Sequence, residues 1–321
     1  MSNVLFTMAE DVEASSDSAF AIRYPVDEHD CLDFAAALQD LGHHIYFVNW
    51  HDLPVGEMSE FTRMFSFNQS RFVEPIAIDR FDLVFVYKME GFYFDTPRFF
   101  AMLDRFSHNL VVNDIATIKH NIDKSYLWQL EEAGIAIIPT FKVDDVSDRL
   151  AAGEKFVLKP FKGERGKGVI LAQSLADLEQ IKGMEEQYMA QKFMAEIRDG
   201  ERSLVYLGHQ FEHAVIKHPS PANMSEFRCN ESLGGTVAVY QPSEVEIAFG
   251  NALLSAYEKL GYPVHFSRID IINVSGKPVL LEAELLNPSI YANYSRRGKV
   301  FGQHLGRYFD DLIKVKAKAS T

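Results

Sequence analysis

Two apolar stretches joined by a tight turn constrain this chain most: Phe266-Ser-Arg-Ile-Asp-Ile-Ile272 and Pro278-Val-Leu-Leu-Glu-Ala-Glu284, folded about Ser275-Gly276. Short apolar runs flanking a Ser-Gly pair read as a β-hairpin. Three acids sit in the middle of these runs. Side chains alternate between faces along a strand, so Arg268 and Asp270 share one face, and Glu282 and Glu284 share one face. Folding about the turn brings Asp270 nearly opposite Glu282. Clustered carboxylates repel one another, which leaves two readings. One is an acidic face left in water. The other is a site for a hard divalent cation such as Mg²⁺, which takes carboxylate oxygens.

The 321 residues suffice for two or three packed units, and 47% hydrophobic content without low-complexity tracts predicts a folded protein. A net charge of −13 disfavours phosphate backbones, so nucleic acid is excluded as a general partner. Cys31 and Cys229 make neither a disulfide framework nor a zinc set, which fits a reducing compartment. Cys229 reads more readily as a small buried side chain than as a nucleophile. The start of the chain lacks a basic, apolar leader and no segment approaches a membrane span, so a soluble cytoplasmic protein is expected, with no membrane partner. A homodimer is left open.

In chain order, strands are expected at residues 3–8, 44–49, 81–87 and 110–113, with helices at 28–41 and 96–106 between them. Alternating strands and helices predict a parallel α/β sheet. The polar stretch 9–27 reads as a long functional loop. A helix is expected at 124–133, then a buried run at 135–139. From 155 onward the pattern is antiparallel: strands at 155–160, 169–172 and 188–194, a hairpin about Leu207-Gly-His-Gln210, a helix at 244–260 and a last helix at 302–315. The fold class is thus α/β followed by α+β. The division expected is 1–114, a parallel substrate-side domain; 115–187, a small central lid; and 188–321, an antiparallel domain carrying the acid hairpin.

Between two of the strands lies Lys162-Gly-Glu-Arg-Gly-Lys-Gly168. Its glycines, Gly163, Gly166 and Gly168, let backbone amides approach a ligand, while Lys159, Lys162, Arg165 and Lys167 supply positive charge. A P-loop ends in Gly-Lys-Ser/Thr and opens a helix; here a strand follows, so the loop reads as a flap over phosphates or as a charged hairpin tip. A phosphate flap and an acid hairpin in one chain favour a nucleotide with its metal. Lys124 at a helix start opposes the helix dipole. Arg228, before Gly234-Gly235, is suited to clamp a phosphate or carboxylate, or to make a surface salt bridge. His209, His213 and His218 lack a zinc spacing. Lys88 and Glu90 follow the third strand's carboxyl edge, where open sheets bind ligands. Tyr291, Tyr294, Arg296 and Arg297 form a cluster suited to an anionic substrate or to a capping turn.

Phe156-Val-Leu-Lys-Pro160 with the glycine loop, Phe227-Arg-Cys-Asn230 with Gly234-Gly235, Arg268-Ile-Asp270 and Leu281-Glu-Ala-Glu284 together resemble the ATP-grasp superfamily. The resemblance runs from about residue 113 to 289 and is greatest to the glutathione synthetase and glutamate ligase branches. Asp199-Gly-Glu-Arg-Ser-Leu-Val205 and Leu281-Glu-Ala-Glu-Leu-Leu-Asn-Pro-Ser289 are similar to small ligases of the D-cycloserine-forming type. The resemblance implies an ATP-grasp fold with a pre-ATP-grasp domain at the start. It implies that Lys124 and Lys159 contact ATP phosphates, that Lys162, Gly163, Arg165, Gly166 and Gly168 close over them, and that Gln191, Lys192, Phe193 and Met194 form the adenine hinge. Asp199 or Glu201 would hold the ribose, and Arg228 would steady the transferred phosphoryl group. Asp270, Glu282 and Glu284 would hold Mg²⁺, with Mn²⁺ able to substitute. Lys88, Arg268, Asn287, Ser289 and Tyr291 are the candidate substrate contacts. The pattern departs at Glu284, where many relatives carry asparagine.

The implied activity is ATP-dependent ligation of a small-molecule carboxylate to an amine or thiol through an acyl phosphate, between molecules or within one. Modification of a peptide, or an inactive ATP-binding regulator, are the competing expectations.

Overall fold

The computed structural model describes residues 1–8, 12–14, 20–22, 30–52, 63–87, 89, 91–223, 225–286, 288–294 and 299–319. Near the start, the strands Asn3–Met8, His44–Asn49, Leu83–Val86 and Leu110–Val112 lie parallel, as their continuous apolar runs dictate for a sheet buried on both faces. Met64–Ser66 and Arg71–Val73 extend this sheet antiparallel at one edge, beside His44–Asn49. Each of these two strands has only three residues, too few for a periodic signal, and neither was expected from the sequence. Val12–Ala14 and Phe20–Ile22 pair antiparallel inside the stretch expected to be a loop. The rest of residues 9–27 lies outside the described residues.

The helix Asp30–Asp40 covers one face of the parallel sheet together with the chain's last helix, Lys299–Ala319, which is longer at both ends than its apolar pattern suggested. Phe34 and Leu38 pack with Phe301, Leu305 and Phe309 in one core. Two glycines allow the close approach: a Cβ at Gly306 would lie 3.0 Å from the Ala37 Cβ, and one at Gly302 would lie 3.2 Å from the Asp33 carbonyl oxygen.

Two antiparallel sheets follow. One has the order Ile170–Ala172, Phe156–Pro160, Tyr188–Lys192, Thr140–Lys142; the other has Thr236–Tyr240, Gln210–His218, Glu201–Leu207, Phe266–Val274, Lys277–Glu284. The segment expected as a single helix from residue 124 is preceded by another, Ile115–Asn121, and is itself shortened to Tyr126–Glu132. Ser174 and Asp177 form a reciprocal cap, and the turn they open, Leu175–Ile181, is 3₁₀. Buried Asn113 ties the parallel part to the acid hairpin, donating to the carbonyls of Phe266 and Leu285 and accepting from the amides of His265 and Phe266.

Candidate active site

The acid hairpin turns through Ser275 and Gly276, both at positive φ, as a two-residue connection between twisted strands requires. Counting outward from that turn, regular pairing would set Asp270 opposite Leu281. The ladder instead breaks between Asp270 and Ile271, so Ile271 faces Leu280 while Asp270 faces Glu282 and Arg268 faces Glu284. This bulge places the consecutive residues Leu281 and Glu282 on the same side. Both line a cavity, whereas Leu280 and Ala283 pack into the core. Without it, Glu282 and Glu284 would point into hydrocarbon.

Asp270 is 2% exposed and fully engaged. Arg268 donates Nε and Nη2 to it, at 3.0 and 2.8 Å, the Ser203 hydroxyl also donates to it, and Lys217 Nζ stands 3.7 Å away. Burial works against ionisation of Asp270, but Arg268 and Lys217 hold its carboxyl down at about 2. Glu282 receives Lys124 Nζ at 3.1 Å. Glu284 has Arg268 at 3.9 Å, and burial together with Glu282 pushes it up to about 7. Burial works against ionisation of Glu282, but Lys124 and Lys159 hold its carboxyl down, which leaves Glu284 as the acid of this wall that the protein's own cations compensate least. The oxygen donors of Glu282 and Glu284, side by side on this wall, fit a hard divalent cation. In this conformation, among the described residues, no three Asp, Glu, His or Cys side chains stand together at metal-ligating spacing.

Opposite the acids, the strand Phe156–Pro160 carries Lys159 into the same cavity. Burial lowers its pKa, with Glu282 opposing. Among the described residues Lys159 makes no hydrogen bond or ion pair, unlike the nearby cations Lys124, Lys217, Arg228 and Arg268. A half-buried ammonium without an anion is costly unless a ligand supplies one. The glycine loop lies down over the cavity. Lys124 Nζ donates to the Gly163 carbonyl at 2.9 Å, and Arg228 Nη1 donates to that of Gly166 at 3.1 Å. Gly166 is at φ +69°, and a Cβ there would come within 3.2 Å of Arg228 Cδ. Glu226 grips Arg228 through both carboxylate oxygens, which holds the Glu226 carboxyl at about 2.

The strand Tyr188–Lys192 pairs Gln191 with Val157 and continues into Phe193 and Met194. Buried Gln191 donates to the Thr140 hydroxyl, and the amides of Lys192 and Phe193 donate to the carbonyls of Pro139 and Lys155. Phe193 meets Phe227 edge to face. Ile138, Val157, Ile197 and Ile272 add an apolar lining beside these residues.

One cavity thus gathers Lys124, Lys159, Gly163, Arg165, Gly166, Gln191, Lys192, Phe193, Met194, Glu201, Arg228, Arg268, Asp270, Glu282, Glu284, Ser289 and Tyr291. Lys162, Gly168 and Asp199 do not line it, and Lys162 and Asp199 are exposed. Lys88, Glu90, Asn287, Arg296 and Arg297 lie outside the described residues. His209, His213 and His218 do not converge: they reach Glu258, the Ile290 carbonyl and the Arg198 carbonyl respectively. Cys229 is buried, and burial pushes its thiol up, against a role as thiolate. Lys217 was missed by the sequence reading. It is bonded to Glu201, its partner in strand register, and it was legible only once that pairing was known.

The family model described as "Prokaryotic glutathione synthetase, ATP-grasp domain" matches residues 124–293, which hold nearly all of this cavity's lining. The chain belongs to that family. It is similar to the cycloserine biosynthesis protein DcsG of Streptomyces lavendulae, 27% identical over 230 residues, covering 64% of this chain and 76% of that protein. It is also similar to a probable alpha-L-glutamate ligase of Klebsiella pneumoniae (strain 342), 28% identical over 155 residues, spanning 46% of this chain and 48% of that protein. The crystal structure of D-cycloserine synthetase DcsG superposes with a TM-score of 0.73 at 20% identity, covering 97% of this chain and 99% of that one. The architecture is the ATP-grasp fold. No helix among the described residues is long and apolar enough to cross a membrane.

Proposed function

We propose that this ATP-grasp protein is a ligase that activates a small amino-acid-like carboxylate with ATP and joins it to an amine, in one molecule or between two. The observation that carries this reading is Lys159, a half-buried ammonium that makes no hydrogen bond or ion pair among the described residues, set beneath a glycine loop and across from Glu282. Polyphosphate is the anion such a site lacks. Similarity to DcsG and to a glutamate ligase supports the amide-forming chemistry.

In this reading the apolar slot along Gln191, Lys192, Phe193 and Met194 takes adenine, with the Met194 backbone facing it. Glu201 is the ribose acid of choice, since Asp199 is exposed and off the cavity. Lys124, Lys159 and Arg228 bind phosphate oxygens, and the amides of Gly163 to Gly166 exclude water from them. Glu282 and Glu284 would hold Mg²⁺ or Mn²⁺, which when bound neutralises phosphate charge and draws electrons from the transferring phosphorus. Asp270, with both oxygens occupied, orients Arg268 and Lys217 toward Ser289 and Tyr291, where the substrate carboxylate would sit. The carboxylate attacks the γ-phosphorus, ADP leaves, and the acyl phosphate is then opened by the amine with release of phosphate. Position and charge suffice for this, and a covalent nucleophile is not needed.

The test is ADP release with Mg²⁺ over a panel of amino acids and small acids, with hydroxylamine added to trap an acyl phosphate as its hydroxamate. Substrate-dependent ADP and a hydroxamate are expected. Absence of any nucleotide binding would remove the ligase reading.

A further inference from the structure

Two hydrogen bonds fasten the glycine loop to the nucleotide side of the cavity, and another leaves that side. Lys124 and Arg228 hold the Gly163 and Gly166 carbonyls. The other bond crosses to the parallel sheet: Lys167 Nζ donates to the Tyr93 hydroxyl at 3.3 Å and lies 6.0 Å from the centre of its ring. Tyr93 stands on a built post. It belongs to the tight turn that follows the Leu83–Val86 strand and buried Met89, with Gly91 at φ +79° and the Phe94 amide donating to the Gly91 carbonyl at 3.0 Å. Phe92, 5% exposed, sinks into the core against Phe99 on one side of the turn. Asp95 on the other side accepts from the Arg98 amide and caps the helix Thr96–Asp104. Phe94 lies 4.3 Å from the Tyr93 ring and is 78% exposed. The post therefore rises from the carboxyl edge of a parallel sheet, where open α/β folds hold ligands, and meets the tip of the loop that covers phosphates.

We propose that Tyr93 is a positioning residue: its bond to Lys167 ties closure of the glycine loop to the parallel-sheet half of the protein. This rests on the ligase reading above. A loop carrying three residues at positive φ, Arg165, Gly166 and Gly168, closes only while its fastenings hold. Loss of one hydrogen bond that counts in the closed state alone shifts the open–closed balance roughly three- to tenfold. An opened loop admits water to the terminal phosphate, and water attacking there gives ADP and phosphate with no acyl phosphate formed.

The experiment compares wild type with Tyr93→Phe, Lys167→Met, Lys167→Arg and the double variant Tyr93→Phe/Lys167→Met. The probes are Mg²⁺ with a non-hydrolysable ATP analogue and, separately, a fluorescent ATP analogue. Phenylalanine keeps the ring packing on Phe92 and Phe94, so thermal melting should not move. Hydrogen exchange of the loop amides in the nucleotide complex should rise roughly three- to tenfold in Tyr93→Phe and in Lys167→Met, with a matching rise in the dissociation rate of the fluorescent analogue. Lys167→Arg, which keeps a donor, should recover part of the protection. The double variant should not exceed Lys167→Met, because Tyr93→Phe removes a bond that Lys167→Met has already removed. A Tyr93→Phe loop that exchanges like wild type, or strictly additive effects in the double variant, overturns the proposal while leaving the ligase reading standing. A wild-type loop that gains no protection from nucleotide overturns both.

Discussion

Across one cavity, the hairpin Phe266–Val274 and Lys277–Glu284 faces the loop at residues 163–168, and the two are held in opposite ways. The hairpin's back is packed: Ile269, Ile271, Leu280 and Ala283 are fully or almost fully buried, so the positions of Asp270, Glu282 and Glu284 are fixed by the core behind them. The loop has no core. It is held by side chains reaching in from elsewhere, Lys124, Arg228 and, through its own Lys167, Tyr93. The acid wall is a rigid reference surface, and the basic cover is a part whose position is set by a few replaceable bonds. Phosphoryl transfer needs both, since charge must be preorganised and yet ATP must enter and ADP must leave.

Removing charge from the rigid side should cost most. Glu282→Gln is expected to lower substrate-dependent ADP release by roughly two to three orders of magnitude, with circular dichroism and melting showing an intact fold. A fully active variant would break the assignment of this wall. Lys159→Met should lower turnover by roughly two orders of magnitude while leaving stability unchanged or raised by up to about 1 kcal/mol, because it removes a half-buried charge that makes no hydrogen bond or ion pair among the described residues. Urea unfolding checks this, and a clear loss of stability would mean that Lys159 is paired within the protein. On the mobile side, Gly166→Ala combines positive φ with a contact on Arg228 Cδ. It should weaken nucleotide binding roughly tenfold and lower stability by about 1 kcal/mol, which nucleotide titration and urea unfolding check. The smallest effect concerns Glu226. Its folded pKa, about 2, lies below the ordinary 4.5, so its stabilisation is complete above about pH 4.5 and is lost as pH falls through about 2. Glu226→Gln should therefore be less stable than wild type by under about 1 kcal/mol near neutrality, with the gap closing in acid. A gap that widened in acid would refute the Glu226–Arg228 account.

Much of the acid wall was legible because alternation and a Ser-Gly turn are local signals. The bulge was not. Strict counting from the turn sends Glu282 and Glu284 to the hydrocarbon face, and no local pattern marks the break between Asp270 and Ile271, because a Leu-Leu-Glu run suits a regular strand equally well. The glycine loop could be read as basic and pliant, but nothing near it in sequence names Tyr93, 74 residues earlier, or Arg228, 62 residues later. Lys217 was hidden for the same reason: its meaning comes from register with Glu201. The parallel strands were plain from their apolar runs, whereas the three-residue edge strands Met64–Ser66 and Arg71–Val73 carry too little pattern to be seen.

The last helix carries a consequence for how the protein is made. Phe34 and Leu38, near the start of the chain, are covered by Phe301, Leu305 and Phe309 near its end. On a ribosome the opening strands and helix emerge long before the segment that closes their core, so they wait with an apolar flank uncovered while the whole ATP-grasp portion is synthesised and has time to fold. The nucleotide-binding half is then the part able to mature first, and the core around Phe34 and Leu38 closes only once Phe301, Leu305 and Phe309 have been made.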